Sequence, residues 1–182
     1  MTARSISGHV FIATSLDGFI ARPDGAIDWL PAPESDPGET YGYDDFMASV
    51  DGLVMGRNTF EKALTFGAWP YSKPVMVMSR TLDPASLPED LAGKVEVSSL
   101  SPDALMDALT RRGWRRVYVD GGRVIQSFLR AGLIADMTVT RVPVLLGAGL
   151  PLFGPLDGDI KLRHAETRAY PSGLVQSRYV ID

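Results

Sequence analysis

The chain of 182 residues contains no cysteine, and its histidines are two, His9 and His164. The first absence excludes disulfides, thiolate metal centres and a cysteine nucleophile. The second excludes a histidine-rich metal site, and a Ser-His-Asp triad would have to use one of these two residues. No metal is expected. No apolar run reaches about 18 residues, so no membrane-spanning helix is expected either. The opening Met1-Thr2-Ala3-Arg4-Ser5 lacks the apolar core of a secretion signal. An excess of positive charge is also lacking. With 18 basic and 22 acidic residues the net charge is −4, which argues against a nucleic-acid-binding surface. The expectation is a cytoplasmic protein with a small-molecule substrate and neither nucleic-acid nor membrane partners.

What is present is ordinary globular material. Hydrophobic residues make up 45% and charged residues 22%, enough for one well-cored domain over 1–182. Strands and helices alternate. Val10-Phe11-Ile12-Ala13 is a buried strand by its continuous apolar character. Residues 15–38 hold four prolines and form a long loop, and a loop of that length is often functional. A helix is expected over Tyr43 to Val50, with Phe46, Met47 and Val50 inward. A strand at Leu53-Val54-Met55 leads to a helix over 58–65, ended by Gly67. Strands follow at Pro74 to Arg80 and around Val95 and Val97. Ser101-Pro102-Asp103 carries helix-start signals, and that helix runs to Arg112. Another strand, Arg116 to Val119, leads to a helix over Arg123 to Ala131, stopped by Gly132. Residues 134–145, 161–169 and 174–181 read as strands. Tyr170-Pro171-Ser172-Gly173 joins the last two as a hairpin turn. The fold class is α/β, with a mostly parallel sheet and an antiparallel C-terminal hairpin.

Two junctions echo each other. Leu53-Val54-Met55-Gly56-Arg57-Asn58-Thr59-Phe60-Glu61 and Val117-Tyr118-Val119-Asp120-Gly121-Gly122-Arg123-Val124-Ile125 both run from strand through glycine into helix. Free N–H groups at such a helix start favour an anion. Two in one domain suggest a dinucleotide with several phosphates. Arg57 and Arg80 stand at C-terminal strand ends, where α/β sheets bind ligands, and their guanidiniums suit the 2′-phosphate of NADP. Ser79 and Thr59 share that edge. The dinucleotide fingerprint G-x-G-x-x-G is absent, so Gly121-Gly122 reads as a tight turn compatible with close phosphate approach. With so few histidines, carboxylates are the proton handlers. Asp120 sits at a strand end, and Asp44 and Asp45 open a helix. Capping and dipole roles are the alternatives for these acids. Asp17-Gly18 makes a turn, and Trp29 either covers a ligand or closes the core.

These residues resemble the dihydrofolate reductase fold, and more closely the reductase domain of riboflavin biosynthesis. Ile12-Ala13-Thr14-Ser15-Leu16-Asp17-Gly18-Phe19-Ile20-Ala21 is similar to that family's first strand and loop. Val54 to Glu61 and Asp120 to Ile125 match its two glycine junctions. Leu145-Leu146-Gly147-Ala148-Gly149-Leu150-Pro151-Leu152-Phe153 is similar to a hallmark of the riboflavin-type branch. The resemblance implies a three-layer α/β/α domain, NADPH as hydride donor and a homodimer. It places Ala13 and Ile20 at the nicotinamide, and Arg57, Ser79 and Arg80 at the 2′-phosphate. Gly56, Thr59, Gly121, Gly122, Arg123, Val124 and Ile125 then follow the pyrophosphate. The substrate end is expected at Asp17, Trp29 and Phe46, with Asp120 and Asp45 as candidate acids. The acid that folate reductases carry on their first helix falls near Gly42 here, so dihydrofolate turnover is not expected. Three functions stay open: an NADPH-dependent reductase of a small heterocyclic or carbonyl-like substrate, a non-catalytic NADP(H)-binding module, and a structural dimer domain.

Overall fold

The computed structural model describes residues 5–31 and 38–182. One eight-stranded sheet organises them. In chain order the strands and helices are β1 (Ser7–Ser15), β2 (Phe19–Ala21), α1 (Tyr43–Ser49), β3 (Gly52–Gly56), α2 (Arg57–Ala63), β4 (Val75–Met78) and β5 (Val95–Ser98). After these come α3 (Pro102–Arg111), β6 (Arg116–Asp120), α4 (Gly122–Arg130), β7 (Ile134–Val142), β8 (Leu150–Pro151), β9 (Leu162–Ala169) and β10 (Val175–Ile181). The sheet order is β5-β4-β3-β6-β1-β7-β10-β9. Strands β5 through β7 are parallel, and β10 pairs antiparallel with both β7 and β9. The expected parallel sheet with an antiparallel C-terminal hairpin is what forms.

Alternation along each strand divides the core into two faces. Val54, Val117 and Val119 point to one face and meet Leu105, Met106 and Leu109 of α3 and Val124, Ile125, Phe128 and Leu129 of α4. Leu53, Met55 and Tyr118 point to the other and meet Phe60 of α2, with Tyr43, Phe46 and Met47 of α1 packed alongside. Phe128 is fully buried, which contributes on the order of 2–3 kcal/mol. The result is the expected three-layer arrangement.

Several boundaries differ from the sequence reading for identifiable reasons. The stretch 15–38 contains a strand: β2 pairs with β8 through Phe19↔Pro151 and Ala21↔Leu150. Three residues are too few for an alternation signal. Residues 32–37 of that stretch lie outside the described residues. Helix α2 ends at Ala63, and a 3₁₀ turn, Leu64–Phe66, carries the chain to Gly67 at φ 86. Strand β7 stops at Val142 rather than 145, because Pro143 has no N–H for the ladder. Helix α4 starts one residue early, at Gly122. Of the three residues expected inward on α1, Val50 is buried, while Phe46 and Met47 are half-buried.

The sheet has one reversal of winding that matters for function. β3 and β6 are neighbours. The chain leaves β3 through α2 towards β4 on one side, and leaves β6 through α4 to β7 beyond β1 on the other. Helices α2 and α4 pack on opposite faces. Such a point opens a crevice outside the carboxyl ends of the two strands, where α/β sheets bind ligands.

Candidate functional site

Both glycine junctions sit at that crevice. Met55 of β3 is in register with Asp120 of β6, so the turns that follow lie side by side. Gly121 has φ 89 and ψ 132, backbone that a side chain makes costly. A Cβ there would collide with Thr59 Oγ1 and lie 3.8 Å from the Gly56 nitrogen. A Cβ on Gly56 would meet Val124 Cγ2 at 3.2 Å, and one on Gly122 would meet Ile20 Cδ1 at 2.9 Å and the Pro151 carbonyl at 3.1 Å. Gly56, Thr59, Ile20, Gly121, Gly122 and Val124, dispersed in sequence, are therefore neighbours in space. Neither α2 nor α4 has a side-chain cap on its first N–H groups. At α4, whose N-cap is Gly121, no side chain accepts from those N–H groups.

The cationic group lies one strand over, at the ends of β3 and β4. Gly56 is in register with Met78, which brings Arg57 to the turn after β4. Arg57 donates to Glu61 at 2.6 Å and to Thr81 Oγ1 at 3.3 Å. Ser79 Oγ accepts from the Thr81 and Leu82 N–H groups at 3.2 and 3.0 Å, which shapes that turn. Arg80 and Arg123 are exposed. Arg57, Ser79 and Arg80 thus share one edge, as expected from their strand-end positions. Glu61, which the sequence reading did not use, holds the Arg57 guanidinium in place; its i,i+4 spacing from Arg57 was the available signal.

Asp120 is the carboxylate at the crevice. Its Oδ1 accepts from the Gly121 N–H at 2.8 Å. It keeps some accessible surface but protein atoms crowd it on most sides. Burial pushes its carboxyl up to about 6, and the Gly121 hydrogen bond opposes the rise. By alternation its side chain shares a face with Tyr118, two residues earlier. Tyr118 Oη donates to the Phe11 carbonyl at 2.9 Å. Tyr43 and Tyr71 complete the surroundings. Burial first, and the Asp120 charge second, push Tyr43 up to about 12, and both effects raise Tyr71 and Tyr118 well above the phenol range. All three phenols are neutral donors at physiological pH. Phe11, Tyr43, Phe46, Tyr71 and Tyr118 were absent from the expected site apart from Phe46. The i−2 spacing of Tyr118 from Asp120 was legible; Tyr71, within the loop before β4, carried no signal.

Other expected residues fall elsewhere. Asp45 is an exposed residue on α1, which leaves Asp120 as the acid in the crevice. Asp17 accepts from Ser15 Oγ at 2.6 Å and from the Leu146 and Gly147 N–H groups at 3.1 and 2.8 Å. These bonds, Ser15 foremost, lower its carboxyl below the usual range. It ties the first loop to the 145–149 loop. Trp29 packs with Ala13, Leu30 and Tyr41 against Val142, Tyr170 and Leu174, and its indole N–H finds no acceptor among the described residues. Ala13 packs against that same cluster, whereas Ile20 borders Gly122. His9 is buried, 2.9 Å from Ser7 Oγ and 3.0 Å from Asp136. Arg178 donates to the same carboxylate at 3.3 Å. This Ser-His-Asp row lies near the start of β1, away from the glycine turns, and the buried hydrogen-bonded contact reads as structural. Two surface hollows, one lined by Gly154 to Lys161 and one by Ala63, Trp69 and Leu91, include neither Asp120 nor Gly121. Among the described residues no cluster could hold a metal, and no helix is long and apolar enough to cross a membrane.

Comparison with known proteins bears on the family and the fold. Residues 8–176 match the RibD C-terminal domain. YwjB of Bacillus subtilis (strain 168) is 34% identical over 174 residues, 94% of this chain and 95% of that protein. A putative riboflavin biosynthesis protein from Shewanella sp. PV-4 has a crystal structure with TM-score 0.88 at 40% identity, covering 97% of this chain and 99% of that one. A diaminohydroxyphosphoribosylaminopyrimidine deaminase/5-amino-6-(5-phosphoribosylamino)uracil reductase from Thermotoga maritima gives TM-score 0.78 at 13% identity. It covers all of this chain but 58% of that protein, and at that identity it shows the fold alone.

Proposed function

Since the chain belongs to the RibD C-terminal domain family, we propose that it is an NADPH-dependent reductase of a small heterocyclic or carbonyl-like substrate. One observation carries the reading. Two glycine turns face each other at the reversal point of the sheet, with Thr59 occupying the space a Gly121 side chain would need. That spacing leaves backbone N–H groups open to an extended diphosphate. The residues present fit the cofactor: Gly56, Thr59 and Gly121 to Ile125 along the diphosphate, Arg57, Ser79 and Arg80 at the 2′-phosphate, and Ile20 and Ala13 towards the nicotinamide. When bound, NADPH supplies the hydride.

The chain supplies position and a proton. The carboxyl of Asp120, pushed up to about 6, is half protonated near that pH and can donate to the reacting ring. Its hydrogen bond from Gly121 fixes which oxygen faces away, since Oδ1 is engaged and Oδ2 is left for the substrate. The Asp120 charge is felt by Tyr43 and Tyr71, whose phenols it helps to raise. The exposed β9–β10 end of the sheet, with Leu162 and Val175 open to solvent, supports the homodimer expected from the resemblance.

The test is the cofactor preference. Charge-assisted bonds contribute roughly 1.5–3 kcal/mol each, so two arginines at the 2′-phosphate should favour NADPH over NADH on the order of 100-fold. Fluorescence titration of both nucleotides measures this directly. Equal affinities would overturn the reading.

A further inference from the structure

Resting on the reductase reading, we propose that Gln126 of α4 is a positioning residue. By holding the Pro151 and Leu152 carbonyls it seats β8, and β2 with it, over the start of α4, and so sets where Ile20 stands against the glycine turn. Strand β2 needs such a hold. It lies outside the eight-stranded sheet, in a separate two-stranded sheet with β8, and β8 is two residues long. A pair of strands this small is marginal by itself. Ile20 sits between the two paired positions, Phe19↔Pro151 and Ala21↔Leu150. The Leu152 N–H donates to the Gly18 carbonyl at 3.0 Å, which extends the pairing by one bond. Where β8 goes, Ile20 follows.

Distances identify Gln126 as the hold. Its Nε2 donates to the Pro151 carbonyl and to the Leu152 carbonyl, each at 3.2 Å. Two carbonyls can only accept, so the amide nitrogen is the atom that faces them. Helix geometry supplies the reach. Gln126 lies four residues after Gly122 on the same face of α4, and long side chains on a helix lean towards its N-terminus. There a Cβ on Gly122 would lie 3.1 Å from the same Pro151 carbonyl, 2.9 Å from Ile20 Cδ1 and 3.9 Å from Gln126 Nε2. One carbonyl thus borders both the first residue of α4 and the side chain that fixes it. Gly154 makes room on the other side. A Cβ there would lie 2.6 Å from Gln126 Oε1 and 2.9 Å from its Cδ. Gly154 is not among the glycines with positive φ, so the carboxamide, not the backbone, calls for glycine. Leu152 is buried in the core with Val124, Ile125 and Phe128. That burial keeps β8 down but is non-directional. The two directed bonds from Gln126 fix the strand's place along α4.

Gln126→Met tests this, because it keeps the length of the side chain and removes its donors. NADPH affinity, read by fluorescence titration of the full chain, should fall roughly fivefold or more, as expected for two lost hydrogen bonds. The emission of the bound nicotinamide should move towards that of free NADPH, because the wall at Ile20 has shifted. Gly154→Ala crowds the same carboxamide from outside. It should weaken NADPH binding in the parent chain yet add less than about twofold on top of Gln126→Ala, since two changes that act through one contact are not additive. Unchanged NADPH affinity in Gln126→Met overturns the proposal. So does weaker binding with unaltered emission, which would put the defect away from Ile20, and so does full additivity of Gly154→Ala with Gln126→Ala. If the parent chain binds no NADPH, the reductase reading falls instead, and the hold is judged by amide hydrogen exchange. The Leu152 amide should exchange roughly tenfold faster in Gln126→Met, with β3 and β6 unchanged. Unchanged exchange at Leu152, or equal acceleration in β3 and β6, overturns the proposal without any nucleotide.

Discussion

Two ends of one crevice differ in kind. At β3 and β4, Arg57 and Arg80 stand exposed and the contacts are polar: Glu61, Thr81 and the Ser79 turn. At β6 and β1, a few residues away across the sheet, the charge is Asp120 and its surroundings are rings. The backbone is nearly the same at both, a parallel strand running into a turn. The side chains set what each end can hold. A cationic, solvated end attracts an anion but cannot hold a carboxyl protonated near neutral pH. A ring-lined, desolvated end can, because water that would stabilise the carboxylate is displaced. On the proposed reading, one fold edge separates the binding of phosphates from the handling of a proton.

The sharpest way to break this contrast is Asp120→Asn. Removing a general acid costs typically 10²–10⁴-fold in turnover, so NADPH oxidation with a substrate should fall at least 100-fold. NADPH affinity, set at the other end, should stay unchanged. Stability should move the opposite way. A carboxyl raised in the folded state from 3.8 to about 6 weakens folding as pH rises, because the unfolded chain ionises first. The loss begins above pH 3.8 and is complete above about pH 6. A shift of this size corresponds to on the order of 3 kcal/mol, and the partly open position reduces it to about 1–2 kcal/mol. Asp120→Asn should therefore be more stable than the parent at pH 7 and equal to it near pH 3. The parent's turnover should decline as pH rises above about 6, as the acid form is lost. A variant that is inactive and also destabilised at pH 7 would show that Asp120 is structural.

Gly121→Ala probes the cofactor end. Backbone at φ 89 strains any side chain by on the order of 1–3 kcal/mol, and the new methyl would collide with Thr59 Oγ1. Chemical denaturation should show that loss, and NADPH affinity should fall. Thr59→Ala in the same background should recover the steric part and leave the backbone part. Full recovery would mean that φ carries no cost there.

The sequence was most legible where the backbone itself is constrained. Gly56, Gly121 and Gly67 marked turns because few other residues fit there, and apolar runs marked β1, β3 and β6. The hairpin at Tyr170 to Gly173 was legible for the same reason, with Gly173 at φ 86. The cationic edge was legible because strand ends of a parallel sheet gather on one side, so Arg57 and Arg80 could be placed together from topology alone. The ring-lined end was not. Phe11, Tyr43, Tyr71 and Asp120 come from β1, α1, a loop and β6, and their meeting depends on helix and loop packing that no local pattern records. Asp45 shows the converse. Its place at a helix start looked like that of an acid beside the long loop, yet α1 turns it to solvent, because neighbours on a short helix point to different sides.

Asp17 gives the smallest expected effect and the finest test of the contrast. It ties the turn after β1 to Leu146 and Gly147, and so fixes the loop from which β2 carries Ile20 to Gly122. Asp17→Ala removes acceptors for two backbone N–H groups that lie near solvent, so water can replace them and the fold should persist. Local opening should become easier instead. Amide hydrogen exchange at Leu146 and Gly147 should speed up by roughly three- to tenfold, with exchange in β3 and β6 unchanged. Because Ile20 borders the glycine turn and not the arginines, NADPH and NADH should lose affinity by the same modest factor, leaving their ratio intact. A change in that ratio would mean that the first loop reaches the 2′-phosphate end, and the division of the crevice into two independent halves would fail.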